Sequence, residues 1–545
     1  MTRGPEHVVP APHGEPYRAY ARGSGILRDV VLLLFFSGIL YLAYRELGHY
    51  GNFEEFFVTP RALLCTLAVF AALRYSVGAR WACLFGFVTS LFLLVDRHLG
   101  KHLGDVFAAL GKQLLLVVRS TTQSEWRAYL GRVTLREWLA LPALSLAWLA
   151  LAKLTPNRRR RPILLLAAVP AFLYSYDFIT LRPFYDYAVE LRRNGAVLRK
   201  RAEFTFRAVD ANRTPDANYV MLIGESQRAD HYHAFGYSRQ NTPELDRWSG
   251  RPGFYSFDDV ISGFTLTNRA VPNIVTRKAL PDTSSQFPEK SIISAFREAG
   301  FRTYYITFLE RNMKDEDETA LIYTEADTFV NHVKFTGSME DPGLLVAFDR
   351  ALHDDARKRL FLIHMMGVHF KFEDRYTAPF DKFKPSYKTE PPVYDPAHRQ
   401  ILVNSYDNAI AFSDMIMGEF LARIDSLPGP AMMAFVSDHG ASLFDDGKTE
   451  DRGLAKGSYH VPFFLYGNHA YWSVVDSSRG AHLRCNRKIP ITVEYFFDTF
   501  LKLSQIEYPG YRPAMDLSAS CLPGIPDRKV WSLDGRSVSY DDLPN

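Results

Sequence analysis

Three apolar, strand-like runs in the second half of the chain each end in a polar motif. The runs span 219–223, 360–363 and 432–436. In an open α/β sheet, the carboxyl ends of parallel strands line one crevice, where ligands bind. The motifs are therefore predicted to bring four side chains together at one site: Glu225, His369, Asp438 and His439.

Helical and strand-like segments alternate from residue 217 to the end of the chain. Three such pairs are clear, with helical 291–300, 342–352 and 403–424 preceding strand-like 302–306, 359–365 and 431–436. This alternation is typical of α/β proteins. It predicts a mostly parallel, doubly wound sheet.

The first third of the chain contains five apolar runs, at 26–44, 62–73, 81–95, 138–154 and 162–178. They are interpreted as five membrane helices, although some are shorter than the ~20 residues that a bilayer crossing needs. The second run could instead be a buried hairpin helix. The first could be a cleavable signal peptide, but no small-residue cleavage site follows Tyr44.

Basic residues indicate the orientation of these helices. They are concentrated before the first run, between the second and third, and between the fourth and fifth. With five crossings these segments share one side, which is the cytoplasm by the positive-inside rule. The chain after residue 178 therefore lies outside the cytoplasm.

The domain organisation follows from these runs. Residues 1–25 form a cytoplasmic N-terminus, 26–180 a membrane domain, 181–216 a linker and 217–545 the catalytic domain. An amphipathic external segment is predicted near 104–130. It could rest in the membrane interface or pack on the catalytic domain.

Charge and cysteine content narrow the function classes. The formal net charge is +4 with scattered basic residues, so no nucleic-acid partner is expected. Cys65 and Cys83 fall in membrane runs and are interpreted as packing residues. Cys485 and Cys521 belong to the external domain, where an oxidising compartment would allow them to pair. Sequence alone leaves that pairing open.

The polar motifs fit a metal centre. Asp438, His439 and Glu225 supply one nitrogen and two oxygen ligands, a set that suits Zn²⁺ in a tetrahedral site. Thr267 would take the fourth position, where a metal would lower the pKa of its hydroxyl and activate it as a nucleophile. Taken singly, each residue also fits a turn or capping role. Their combination favours a catalytic centre.

The same motifs, together with their neighbours, resemble the phosphoethanolamine transferase family of the alkaline phosphatase and sulfatase superfamily. The matching segments are 223–231, 235–237, 241–246, 265–267, 364–369, 406–409 and 437–440. The order and rough spacing match over nearly the whole chain. The resemblance implies an alkaline-phosphatase-like periplasmic domain that follows five inner-membrane helices, in a protein that acts as a monomer.

The resemblance also implies a reaction and its residues. Thr267 would attack phosphatidylethanolamine, and lipopolysaccharide would then accept the phosphoethanolamine group. Glu225, Thr267, Asp438 and His439 match the zinc ligands of the family. Four further residues match or stand near its substrate-binding positions: Thr265, Lys314, His369 and His460. His369 is also a candidate general acid or base.

One departure from the family pattern concerns the acceptor. Many lipid A-modifying members have a His-Gly pair after the Asp-His strand, whereas the stretch beginning at 450–453 lacks one. His460 is the candidate replacement, although a structural role is equally open. This departure, together with the run 370–376, makes the pattern closest to members that modify the lipopolysaccharide core.

The motifs also bear on three rival functions. A phosphoglycerol transferase, or another phosphotransferase of the superfamily acting on an envelope glycan, would share the threonine nucleophile and is the alternative enzyme. A sulfatase would need a Cys/Ser-x-Pro-x-Arg motif, which the region around Thr267 lacks. A non-catalytic envelope protein would have lost ligands, whereas all four are present.

Overall fold

The computed structural model describes mainly the second half of the chain. The described ranges are 196–211, 216–280, 287–308, 318–331, 341–447, 453–532 and 535–545, with residues 282 and 284 and scattered helical residues between 80 and 153. Residues 1–25 and the segment 104–130 lie outside them, as do all of the apolar runs 26–44, 62–73 and 162–178, most of 81–95 and about half of 138–154. Among the described residues, no helix is both long and apolar enough for a membrane crossing.

The chain divides into two compact units, residues 1–98 with 132–182 and residues 99–131 with 183–545. In the first unit, Cys83 Sγ lies 4.0 Å from the carbonyl oxygen of Trp148, whose side chain is buried. The second unit contains the predicted catalytic domain, and its described residues are considered below.

A seven-stranded sheet forms the centre of this unit. In spatial order its strands are β3 (Phe254–Phe257), β9 (Phe463–Gly467), β8 (Ala431–Ser437), β2 (Ala217–Gly224), β7 (Lys358–His364), β5 (Arg302–Thr307) and β6 (Thr328–Asn331). From β8 to β6 every pairing is parallel, whereas β9 is antiparallel to both β8 and β3. The mostly parallel sheet is thus confirmed, with an antiparallel strand near one edge.

Helices cover both faces of the sheet, as predicted for a doubly wound fold. In chain order they are α1 (Pro243–Ser249), α2 (Thr267–Val275), α3 (Ile292–Glu298), α4 (Glu318–Tyr323), α5 (Asp341–Leu352), α6 (Arg399–Ser426), α7 (His469–Val474), α8 (Ser477–Cys485) and α9 (Tyr495–Leu503).

Alternate residues of β2 enter different cores. Tyr219 and Met221 pack with apolar residues of α2, α3 and α9, whereas Val220 and Leu222 pack with those of α1, α5 and α6. Every residue of β2 is buried, which is typical of a parallel strand covered on both faces. The strand is therefore held rigidly at the centre of the fold.

Three short strand pairs lie outside the central sheet. They are β1 (Val209–Asp210) with β11 (Ile506–Glu507), β4 (Val260–Ile261) with β10 (Ile491–Thr492), and β12 (Lys529–Trp531) with β13 (Ser537–Ser539). Strand β1 falls within the predicted linker 181–216. Phe206, three residues before β1, is buried against Phe497 and Tyr508, so this end of the linker packs on the catalytic domain.

Gly367 allows the segment after β7 to approach the end of β2 closely. Its φ is +52°, and a Cβ there would lie 2.8 Å from the carbonyl oxygen and 2.9 Å from the nitrogen of Glu225. Val368 N donates to the same carbonyl oxygen at 2.9 Å. A side chain at position 367 would separate the two segments.

Cys485 and Cys521 form a disulfide, the pairing that the sequence left open. Their Cα atoms are 5.6 Å apart, and the bond joins the end of α8 to a segment 36 residues later. Next to it, Asn486 Nδ2 donates to the carbonyl oxygens of Leu517 at 2.8 Å and Ser520 at 2.6 Å. The C-terminal segment is thus attached to α8 by covalent and hydrogen bonds.

Replacing both Cys485 and Cys521 by serine is expected to lower the free energy of unfolding by about 2–4 kcal/mol, because the unfolded chain loses a loop constraint. Urea denaturation of the full-length protein, followed by tryptophan fluorescence, measures the change. Reduced parent protein should match the double variant. An unchanged midpoint in both would contradict the stabilising role.

Gly367→Ala is expected to destabilise the protein by about 1–3 kcal/mol, because it combines left-handed backbone with a clash against Glu225. Gly447→Ala is the matched control, since Gly447 has φ +73° and a Cβ placed there would have no heavy atom of the described residues within 4 Å. Urea denaturation should show a larger decrease in the free energy of unfolding for Gly367→Ala than for Gly447→Ala. Equal losses would mean that the close approach is unimportant.

Candidate active site

The ends of β2 and β8 bring two acidic side chains together. Gly224 and Ser437 are register partners in this parallel pair, and Asp438 N donates to Gly224 O at 3.0 Å. The next residues, Glu225 and Asp438, therefore lie side by side. Their side chains are almost completely buried.

Glu225, Asp438 and His439 form a cluster whose potential ligand atoms all lie within 4.8 Å of one another. His439 Nε2 is 3.4 Å from Glu225 Oε1 and 3.4 Å from Asp438 Oδ2. Its Nδ1 lies 2.8 Å from the carbonyl oxygen of Gly440. Protonation of Nδ1 would satisfy that bond and leave the Nε2 lone pair facing the carboxylates, as in metal-binding histidines.

Two buried atoms of the cluster, Asp438 Oδ2 and His439 Nε2, have no hydrogen-bond partner among the described residues. By contrast, Asp438 Oδ1 accepts bonds from the backbone nitrogens of Ser226 at 3.1 Å and His439 at 2.7 Å. A buried, unsatisfied polar group costs about 1–3 kcal/mol. A cation bound between these atoms would remove that cost, and the one-nitrogen, two-carboxylate set fits zinc.

Burial and repulsion affect the two carboxyl groups differently. Burial, reinforced by the neighbouring charge of Glu225, raises the pKa of Asp438. Burial also opposes ionisation of Glu225, but the neighbouring imidazoles of His364, His439 and His369 hold its pKa well below the usual range. Without a cation, the protein therefore favours one ionised carboxylate. A divalent cation would favour two.

Thr267 lies beside this cluster. Its Oγ1 donates to Glu225 Oε2 at 3.1 Å, and the residue is the first of α2. The N-terminus of a helix favours negative charge, since its free backbone N–H groups and its dipole point outward. A phosphate group and a developing alkoxide would both be stabilised there. Thr265, two residues earlier, is buried.

The segment after β7 completes this side of the site. Met365 N donates to Ile223 O at 2.9 Å, so the segment continues alongside β2 beyond the last strand pair. His369 follows, half-buried, with Nδ1 2.9 Å from Phe370 O. The preceding residue, Val368, donates its N–H to Glu225 O at 2.9 Å, which brings this segment to the cluster.

His364 is a further residue beside the cluster, and the sequence motifs did not indicate it as a site residue. This last residue of β7 is fully buried, and its Nε2 lies 3.7 Å from Glu225 Oε2. The available signal was its position, since a histidine that ends an apolar strand beside the Glu225 strand points toward the same edge. The strand-like pattern of residues 359–365 instead indicated that His364 belongs to the strand itself.

Two further residues were predicted to bind substrate, Lys314 and His460. Lys314 lies outside the described residues. His460 is half-buried, with Nε2 3.0 Å from Asp258 O, and forms an isolated backbone bridge with Ile261. Its imidazole is thus used in a contact with the backbone, and a catalytic role for His460 stays a prediction.

Sequence comparison identifies relatives of the chain. The sequence model of the family described as Sulfatase matches residues 217–506, more than half of the 545 residues. Phosphoethanolamine transferase EptC of Escherichia coli O18:K1:H7 (strain RS218 / NMEC) is 24% identical over 340 residues. That match covers 60% of this chain and 57% of EptC, so the chain spans a little over half of that relative.

Solved structures with the same fold include the C-terminal periplasmic domain of E. coli EptC in complex with Zn, with a TM-score of 0.54 and 23% identity over 62% of this chain and 96% of that one. The integral membrane protein lipooligosaccharide phosphoethanolamine transferase A of Neisseria meningitidis has a TM-score of 0.63 and 19% identity, covering 91% of this chain and 97% of its own. The predicted resemblance to phosphoethanolamine transferases is confirmed, and the chain belongs to the sulfatase family.

Proposed function

We propose that this protein is a phosphotransferase that moves phosphoethanolamine from phosphatidylethanolamine to lipopolysaccharide through a covalent intermediate on Thr267. The proposal rests on one observation. The Thr267 hydroxyl is 3.1 Å from Glu225, within a buried cluster whose unpaired oxygen and nitrogen atoms converge. A hydroxyl at the start of a helix beside a cation site is a suitable nucleophile for a phosphodiester.

Zinc is the proposed cofactor. Glu225, Asp438, His439 and Thr267 would hold it, and the solved periplasmic domain of EptC in complex with Zn is consistent with that choice. When bound, zinc would supply Lewis acidity that favours ionisation of the Thr267 hydroxyl and screens the phosphate charge. The hydrogen bond from Thr267 to Glu225 orients the hydroxyl before reaction.

The transfer has two balanced steps. In the first, Thr267 Oγ1 forms a bond to phosphorus and the bond to the diacylglycerol oxygen breaks. His369 protonates this leaving oxygen, while the proton of the Thr267 hydroxyl passes to solvent water. In the second, an acceptor oxygen attacks phosphorus and His369 takes its proton, while the bond to Thr267 breaks and Thr267 Oγ1 regains a proton from water. The N-terminal amides of α2 stabilise the phosphate charge throughout.

The location and acceptor are part of the proposal. The chain would be a multi-pass protein of the inner membrane with its N-terminus in the cytoplasm and its catalytic domain in the periplasm, acting as a monomer. The Cys485–Cys521 disulfide is consistent with an oxidising compartment. The missing His-Gly pair after 450–453 favours an acceptor in the lipopolysaccharide core over lipid A.

Thr267→Ala is expected to reduce transfer by roughly a thousandfold or more, because the nucleophile is lost. Mass spectrometry of the peptide containing Thr267, after incubation with phosphatidylethanolamine, should show a phosphoethanolamine increment in the parent only. Thr324→Ala, at an exposed threonine, is the control and should keep both activity and modification. A glycerophosphate increment would indicate a phosphoglycerol transferase, and normal turnover of Thr267→Ala would exclude the covalent mechanism.

Glu225→Ala and His439→Ala are each expected to weaken zinc binding at least tenfold, since each removes one of few ligands. Metal analysis after dialysis measures the bound zinc. His460→Ala is the control, because its imidazole contacts the Asp258 carbonyl, and this variant should retain zinc. Full occupancy in both ligand variants would refute the assignment.

A further inference from the structure

We propose that Arg228 is a positioning residue that holds the Glu225 loop (225–228) against the Asp438 loop (438–445), and that this contact sets the affinity of the metal centre. The inference rests on the proposed metal site. Arg228 is not predicted to contact metal or substrate. Its role would be to maintain the distance between two loops that each carry a ligand.

The guanidinium of Arg228 joins the two loops directly. Its side chain is only 4% exposed. Nε and Nη2 donate to the two carboxylate oxygens of Asp230 at 2.7 and 2.6 Å. Nη1 donates to the carbonyl oxygen of Ala441 at 3.0 Å and to the carboxylate of Asp445, whose side chain is also 4% exposed. All three guanidinium nitrogens thus donate to specific acceptors: Nε and Nη2 to Asp230, close to the Glu225 loop, and Nη1 to two groups of the Asp438 loop.

The backbone of the Glu225 loop is attached to the same surroundings. Gln227 N donates to Ser437 Oγ at 3.0 Å, at the end of β8. Tyr406 of α6 accepts a bond from Arg228 N at 2.9 Å and donates to Ser226 O at 2.8 Å. Because these bonds hold the loop on both α6 and β8, the Arg228 side chain leaves from a fixed position.

Asp445 extends these contacts to the start of α6. Its other oxygen accepts from Arg399, the first residue of that helix. Asp445 is therefore held between two guanidinium groups, and its buried charge is compensated. This arrangement fixes the far end of the Asp438 loop relative to the same helix that holds Ser226 and Arg228.

Two glycines allow close packing around the Arg228 side chain. A Cβ on Gly457 would lie 2.1 Å from Arg228 Cζ, and a Cβ on Gly440 would lie 2.0 Å from the Gly457 carbonyl oxygen. Gly440 N also donates to Ser458 O at 2.9 Å. The guanidinium therefore packs against Gly457, and the next residue, Ser458, is bonded to Gly440, which directly follows His439. A lysine would lack the planar fork that reaches Asp230 and Asp445 together.

These contacts predict that Arg228 affects the affinity for metal, because the two carboxylate ligands repel each other. Glu225 and Asp438 are buried side by side, and the metal site requires both to be ionised. Repulsion favours separation of their loops, which the Arg228 bonds oppose. Changes in groups that orient metal ligands typically weaken affinity 10–100-fold. A residue that served stability alone would leave metal affinity unchanged in the folded protein.

The test is Arg228→Lys in the full-length protein. Zinc affinity measured by competition with a chelator is expected to fall 10–100-fold, and the visible spectrum of the Co²⁺-substituted protein is expected to shift. Arg201→Lys is the matched control. Arg201 has 6% side-chain exposure, an ion pair with Glu325 and bonds to two backbone carbonyls. It should lose stability without a change in zinc affinity or spectrum.

Zinc affinity and a Co²⁺ spectrum equal to those of the parent would overturn the inference. If Arg228→Lys does not fold, Asp445→Asn replaces it, since it keeps the shape of the side chain but removes the charge opposite Arg228. A weaker zinc affinity is expected there too, and an unchanged one would again overturn the inference. A parent protein that binds no zinc would instead refute the proposed cofactor.

Discussion

The central constraint in this structure is the burial of two carboxyl groups, Glu225 and Asp438, at the ends of neighbouring parallel strands. Two negative charges at such a position repel each other strongly, because little water screens them. His439 lies between them, and backbone nitrogens fix one oxygen of Asp438. Asp438 Oδ2 and His439 Nε2, which have no hydrogen-bond partner in the described part of the chain, lie 3.4 Å apart. This arrangement is suited to a cation.

The sheet determines where the other groups can lie. Strand β2 is buried on both faces and paired on both edges, so the position of Glu225 follows from the core. The segment after β7 continues along β2 and carries His369 past it. Helix α2 packs in the core on one face and begins at Thr267. The proposed nucleophile, the candidate acid and the cation cluster thus come from four separate segments held by one core.

Much of the fold was predictable because its signals are local. The apolar runs before Glu225 and Asp438 are β2 and β8, and the alternation of helices and strands led to the parallel sheet. The antiparallel direction of β9 was not predictable, since an apolar run has the same pattern in either direction. His364 was missed for a related reason. Its contact with Glu225 depends on the register of β7 against β2.

The sequence by itself determined the chemical types at the site, Glu225, Thr267, Asp438 and His439, because each follows a recognisable strand or lies in a motif. Only the tertiary structure decided which atoms meet: the bond from Thr267 to Glu225, the disulfide between Cys485 and Cys521, and the position of Arg228 between two loops. The physical reason is that these contacts join residues far apart in the chain. Their distances depend on how the strands and helices pack, which local patterns do not encode.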